Sequence, residues 1–303
     1  MRFGIWPSPA WSWEETHDLV AHCERTGWDA VYVADHFMPS SPDDKPADGN
    51  MTECWSTLTA LAATVPRIRL APLVTSVTYR HPAVLANIAA AVDQISGGRL
   101  TLGIGAGWQV NEHAAYGIPL GSVTERLDRF EEACQVVTSL LREHRTSFRG
   151  RYFTIEDAPN QPAPAQAKLP LLIGGGGERR TLSIAARFAD QWNCWTTPDV
   201  LSHKLGVLGR HCEELGRDRS EIYVSTQALV FLSTDEKKLA SLRESDIGRA
   251  AAIGTPAEMV DVMAAYRDAG ADEFIVPGFT MGDPAERTEI CDLFIEQVAS
   301  HFR

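Results

Sequence analysis

The sequence predicts a (β/α)8 barrel, on three observations. Eight short apolar runs are each followed by a helix-like stretch. Most of the runs are continuous rather than alternating, as expected of parallel strands covered on both faces. Three of them, at 73–78, 100–107 and 171–177, end in glycine or hydroxyl residues, which gathers side-chain-poor chain at one end of a sheet. A doubly wound sheet is the alternative for a chain of strand–helix units.

The first strand is expected over Phe3–Trp6, with a helix over Trp13–Thr26 that closes at Gly27. Ala30–Asp35 follows, then a helix over Thr52–Thr64 that stops before Pro66. Ile68–Thr75 leads to a helix over Pro82–Ile95, with proline in its first turn and Gly97-Gly98 at its end. Leu100–Gly107 precedes a long helix over Ser122–His144, charged on one face. Leu171–Gly174 runs through glycines into a helix over Glu178–Phe188. Gln191–Trp195 is followed by Pro198–Leu215, and Ile222–Leu232 by an additional helix over Asp235–Ala251 and then Pro256–Ala269. Glu273–Pro277 and a helix over Pro284–Phe302 close the chain. Barrels of this kind run to about 250 residues. A single domain over 1–303 therefore has room for insertions, expected at 38–50, which is rich in Ser, Pro and Asp and expected to be mobile, and at 144–170, which is proline-rich with little periodicity.

Composition narrows the function classes. The chain has 303 residues, 44% of them apolar, and a net charge of -12. That charge argues against a nucleic-acid or anionic-membrane partner and leaves a small molecule as the expected one. No apolar run reaches the roughly 18 residues of a membrane span. The opening residues break at Pro7 before a signal-peptide core forms, so a cytoplasmic address is expected. Six scattered cysteines contain no C-x-x-C pair and read as buried free thiols.

In a (β/α)8 barrel the C-terminal strand ends carry the chemistry. They offer Trp6 and Trp11; Asp35, His36 and Phe37; Thr75, Ser76, Val77, Thr78 and Arg80; Gly105, Gly107, Trp108 and Asn111; Gly174, Gly175, Gly176 and Gly177 with Arg179 and Arg180; Trp192, Asn193 and Trp195; and Phe279. Trp6, Trp108 and Trp192 are the expected walls of a pocket for a planar ligand; capping the barrel core is the competing role. His36 is the candidate proton donor or acceptor, against a purely structural histidine. No metal is expected, because no set of His and carboxylate ligands converges on the first strand's end. Four glycines leading into a helix suit an anion, with Arg179 or Arg180 adding charge, although a tight turn also uses glycine. The glycines at 103, 105 and 107 are expected to bare the strand end so that a flat group can lie on it. Their spacing departs from the G-x-G-x-x-G dinucleotide fingerprint.

Together these segments resemble the luciferase-like monooxygenase superfamily, in particular its coenzyme F420-dependent branch. The resemblance rests on Ala34-Asp-His-Phe37, Leu73–Thr78 with Arg80-His-Pro82, the run from Gln94 to Trp108, Asn111-Glu112, Gly174–Gly177 and Ile253-Gly-Thr-Pro256. It implies a barrel with an insertion region, usually as a homodimer. It implies ring contacts from Asp35, His36, the bulge at Thr75, Ser76 and Val77, and Asn111, with the cofactor phosphate on the glycine run. It also implies a non-proline cis peptide, expected at Ser76–Val77. Sugar-phosphate dehydrogenases of the branch carry an acidic residue where this chain has Trp108, so an apolar, unsaturated or heterocyclic substrate is expected. Three functions stay open from sequence: a hydride-transferring F420 enzyme, an FMN-dependent monooxygenase, and a non-catalytic carrier of a flavin-like ligand.

Overall fold

Residues 1–303 are described by a computed structural model. Nine parallel strand segments form the central sheet: β1 (Arg2–Trp6), β2 (Ala30–Val33), β3 (Arg69–Pro72), β4 (Thr75–Ser76), β5 (Leu102–Gly105), β8 (Leu171–Gly174), β9 (Gln191–Trp195), β10 (Tyr223–Gln227) and β13 (Glu273–Pro277). Their order is β3-β2-β1-β13-β10-β9-β8-β5-β4. Because β3 and β4 are successive pieces of one strand, the nine segments make eight staves. The ring closes where Leu70 bridges Leu100. The strands are buried almost throughout, which is why their sequences read as continuous apolar runs.

Helices α1 (Trp13–Thr26), α2 (Cys54–Thr64), α3 (Pro82–Ser96), α4 (Val110–Ala115), α5 (Val123–Arg142), α6 (Thr181–Phe188), α7 (Pro198–Glu214), α8 (Glu236–Arg243), α9 (Pro256–Asp268) and α10 (Pro284–Gln297) lie along the chain between and after the strands. Capping boxes at Ser12, Ser122, Thr255 and Asp283 satisfy orphan amides at four helix starts. Sixty-four buried residues form one core between the strands and the helices, and six more line the barrel interior, among them Tyr32, Leu73 and Leu172. All six cysteines are buried and unpaired. No helix is long and apolar enough to cross a membrane.

Four segments differ from the sequence reading. The run Ile222–Leu232 is two strands, because Ala228 separates β10 in the barrel from β11 (Leu229–Leu232), which leaves it. The expected helix at 235–251 stops at Arg243; Ala251–Gly254 becomes β12 and pairs parallel with β11. The insertion at 144–170 contains an antiparallel hairpin, β6 (Thr146–Arg149) and β7 (Thr154–Ala158), whose polar composition hid it. The helix after the glycine run starts at Thr181 rather than near Glu178.

Candidate active site

The non-proline cis peptide lies at Leu73–Val74, not at Ser76–Val77. Its neighbourhood explains the glycines. A Cβ on Gly105 or Gly174 would stand 2.7 or 2.8 Å from Val74 side-chain atoms, and a Cβ on Gly103 would stand 2.1 Å from the Pro72 carbonyl oxygen. These glycines therefore make room for the third stave's bulge. That corrects the expectation of bare backbone awaiting a ligand at 103 and 105: the space is filled from within the chain. Gly107 is different. Its φ of +81° needs glycine, and a Cβ there would lie 2.5 Å from Ser76 Oγ.

The bulge is fixed by a buried charge network. Arg80 Nη1 and Nη2 donate to the two Asp35 carboxylate oxygens at 2.6 and 3.2 Å, and Nη2 also reaches Glu53 at 2.7 Å. The Thr75 hydroxyl donates to Asp35 and accepts from the Trp55 indole N–H at 3.2 Å. Asp35 is 2% exposed and Thr75 fully buried. Their side chains hold the backbone in place and face no open space, a correction to the ring contacts expected of them.

A second chain of hydrogen bonds runs through Ser76. Gln109's carbonyl oxygen can only accept, so His113 Nδ1–H donates to it at 2.6 Å. His113 Nε2 then accepts from Thr78 Oγ1 at 2.6 Å, and Ser76 Oγ donates to Thr78 at 2.6 Å. Burial pushes the His113 imidazole below its usual range, which keeps it neutral. Ser76 and Val77 are buried beneath this rim.

Asn111 is 1% exposed and fully engaged. Its amide donates to Pro39 and Lys45 carbonyls at 2.9 and 3.2 Å, and its Oδ1 accepts from the Glu112 amide at 2.9 Å. Gln109 also donates to the Met38 carbonyl at 2.9 Å. Asn111 thus anchors the 38–50 segment, which is tethered at these points, instead of offering its amide to a ligand.

His36 sits at the mouth. Its Nδ1 lies 2.7 Å from Glu112 Oε1, its side chain is 24% exposed, and Nε2 has no partner in the chain. The Trp108 indole stands edge-on 5.5 Å from the imidazole and is itself 61% exposed. Across the mouth, the Trp6 ring is 6.2 Å from Trp195 and 4.8 Å from Phe279. Trp192 does not belong to this wall. Strand alternation turns Asn193 inward, where it donates to Ser225 and Gln227 at 3.0 and 2.8 Å. Trp192 is thereby turned toward the helices, fully buried, with its indole N–H on the Gly175 carbonyl at 2.9 Å.

The glycine run forms an open row of donors. Gly175 N–H is bonded to Asn193, but the amides of Gly176, Gly177, Glu178, Arg179 and Arg180 make no hydrogen bond within the chain. Gly175 takes a φ of +120°, and α6 begins directly beyond. Lys204, from α7, lies beside the run with Nζ 2.8 Å from the Gly176 carbonyl and 3.2 Å from Glu178. Arg180 is turned away to Asp128 at 2.8 Å, while Arg179 is exposed and without an ion-pair partner. The residues present suit an anion: unbonded amides lead into a helix start with Lys204 beside them, and the exposed Arg179 lies within the same stretch. Lys204 gave no sequence signal, since it lies mid-helix one unit downstream.

No group of three or more His, Cys, Asp or Glu side chains is placed to hold a metal. A cavity of about 570 Å³ lies at the opposite barrel end, lined by Arg2, Asp29, Tyr223, Arg267 and Asp272 among others. That N-terminal face is the one barrels use for stability.

Comparison with known proteins places the chain in a family. A family model described as luciferase-like monooxygenase matches residues 1–245. An F420-dependent glucose-6-phosphate dehydrogenase of Kineococcus radiotolerans is 31% identical over 75% of this chain and 66% of its own length. An F420-dependent hydroxymycolic acid dehydrogenase of Mycobacterium tuberculosis is 28% identical over 77% of this chain and 63% of its own. The chain thus spans just under two thirds of the length of either relative. An F420-dependent secondary alcohol dehydrogenase, solved with an F420-acetone adduct, superposes with a TM-score of 0.85 at 20% identity over 99% of this chain and 98% of that one. The Methanopyrus kandleri tetrahydromethanopterin reductase gives a TM-score of 0.84 at 20% identity over 100% and 99%. At that identity the two structures speak for the fold. The family match covers most of the chain, and the chain belongs to the luciferase-like monooxygenase family.

Proposed function

We propose that the protein is an oxidoreductase that moves a hydride between coenzyme F420 and a small organic substrate. The observation that carries this reading is the open row of amides at 176–180, beside Lys204, on the same barrel end as a histidine with a free ring nitrogen. When bound, the coenzyme supplies the hydride chemistry through its deazaflavin ring. The chain's own residues do the rest. The amide row, Lys204 and Arg179 hold the anionic tail. The third stave's bulge, fixed by Asp35, Arg80 and Thr75, backs the mouth with Ser76 and Gly107 at its edge. His36 Nε2 exchanges a proton with the substrate. The two curated relatives described above are both F420-dependent dehydrogenases by name, which supports the same cofactor here.

For the substrate, the aromatic mouth favours an apolar, unsaturated or heterocyclic compound. Trp6, Trp195 and Phe279 form one wall and Trp108 the other. An indole beside His36 supplies area and a π face but no carboxyl acid.

Titrating the purified protein separately with coenzyme F420 and with FMN tests the assignment. Binding of F420 at least tenfold tighter than FMN is expected. Tight FMN binding with little for F420, or oxygen consumption coupled to product, would replace it with a flavin monooxygenase. Binding of F420 with no reduction or oxidation across a panel of alcohols, enones and imines would leave a carrier.

A further inference from the structure

Glu112 is a fully enclosed acid at the mouth. Its side chain is 0% exposed, yet three donors reach it: His36 Nδ1 at 2.7 Å and the Tyr79 hydroxyl on Oε1, and the Phe37 amide on Oε2 at 2.7 Å. Burial by itself would raise its pKa; the donors outweigh it and hold the carboxyl below the usual range, so it is ionised near neutral pH. An ionised carboxylate only accepts hydrogen bonds. His36 must then carry its neutral-state proton on Nδ1, leaving the Nε2 lone pair directed away from Glu112 with no partner in the chain. Burial and Glu112 both raise the Tyr79 phenol, which keeps its proton and spans the same oxygen. The Tyr79 ring is held between Phe37, with centroids 4.7 Å apart, and His113, at 4.9 Å.

We propose that Glu112 is a positioning residue for His36: it selects the Nδ1–H tautomer and so makes Nε2 the proton-exchanging atom, while Tyr79 shares its carboxylate oxygen without choosing the tautomer. The kinetic part rests on the hydride-transfer reading above, and the tautomer part stands without it. When a substrate is oxidised, its heteroatom proton passes to Nε2 as its carbon-bound hydrogen leaves as hydride to the coenzyme; in reduction Nε2–H returns that proton. The other ionisable groups around the pair are already committed. Asp35 is locked to Arg80, His113 is neutral between Thr78 and Gln109, Arg126 donates to the Gly107 carbonyl at 2.9 Å, and Tyr116 lies 3.4 Å from the Phe37 carbonyl.

Glu112→Gln distinguishes positioning from mere packing. The amide oxygen can satisfy the Phe37 N–H, which puts the amide N–H₂ against His36 and drives the ring toward Nε2–H. Nitrogen-15 NMR of the imidazoles in the cofactor-free protein near pH 8 should show Nδ1–H as the dominant His36 tautomer in the unmodified chain. It should show Nε2–H dominant in Glu112→Gln, and Nδ1–H retained in Tyr79→Phe. In turnover, Glu112→Gln should lose roughly 10²-fold or more in kcat with KM changed less than about threefold, and Tyr79→Phe less than about tenfold in kcat. A dominant Nε2–H tautomer in the unmodified protein overturns the proposal, even if Glu112→Gln fails to fold. An unchanged tautomer in folded Glu112→Gln also overturns it. The expected tautomers without F420 binding would sink the hydride-transfer reading and leave this one standing.

Discussion

Glu112 and His113 are neighbours on α4 with opposite tasks, one held charged and the other held neutral, and both make stability depend on pH in the same direction. His113 is pushed below its usual range first by burial. The native chain therefore takes up that proton less readily than the unfolded chain. Its contribution is whole above about pH 6.5 and is lost as pH falls through the lower folded value. Glu112 is also depressed, because its donors outweigh burial. Its contribution is whole above about pH 4.3 and is lost as pH falls further. The urea midpoint should be flat from pH 8 to 7, decline below about 6.5 and decline again below about 4.3. In Glu112→Gln the second decline should shrink. A midpoint constant from pH 7 to 3 would contradict both assignments. His36 announced itself in the sequence by its place at a strand end, and Glu112 only as part of the Asn111-Glu112 motif of the family resemblance, with no role attached. Glu112, His113 and Lys204 come from helices, and local sequence does not fix which way a short helix turns its side chains.

At the scale of elements, the third and fourth staves are built around one another. Pro72 and Val74 fill the space that Gly103, Gly105 and Gly174 leave. Gly103→Ala would set a Cβ 2.1 Å from a carbonyl oxygen that cannot rotate away, and should destabilise the protein by about 2–3 kcal/mol or more. Gly206→Ala in α7 meets nothing within 4 Å and should stabilise by about 0.5–1 kcal/mol. Urea midpoints of the two variants read the contrast; equal midpoints would contradict the packing. The glycines were legible as special, but their reason was not, because the partner that fills them lies one or two strand–helix units earlier. Arg99 behaves similarly. It sits in the Gly-Gly-Arg-Leu segment of the family resemblance, and its guanidinium donates to carbonyls of Ala62, Val65 and Ile68 at 2.7, 2.8 and 2.8 Å, closing the end of α2. Barrel strands and their helices were readable from period and punctuation. The β11–β12 pair was not, since Leu229–Leu232 is as apolar as the barrel strand it continues.

For the whole molecule, α3 leaves an apolar outer face: Val84 is 54% exposed and Ile95 48%, with Ile88 half-buried between them. These positions follow helical spacing, and a second copy of the chain, the dimer expected from the family resemblance, is the proposed cover for them. Sedimentation should give a dimer for the protein and a monomer for Val84→Glu combined with Ile95→Glu. A monomeric parent would remove the assignment. His36, the bulge and the amide row all follow C-terminal strand ends, on one rim of the barrel. The most direct test is a crystal structure of the protein with coenzyme F420 bound, together with the affinity of Lys204→Met. The phosphate should lie on the amides of 176–180 with Lys204 beside it and the deazaflavin ring at the bulge, and the variant's affinity should be about tenfold weaker, or about 1.4 kcal/mol. A coenzyme found elsewhere on the barrel, with affinity unmoved by Lys204→Met, would contradict this placement.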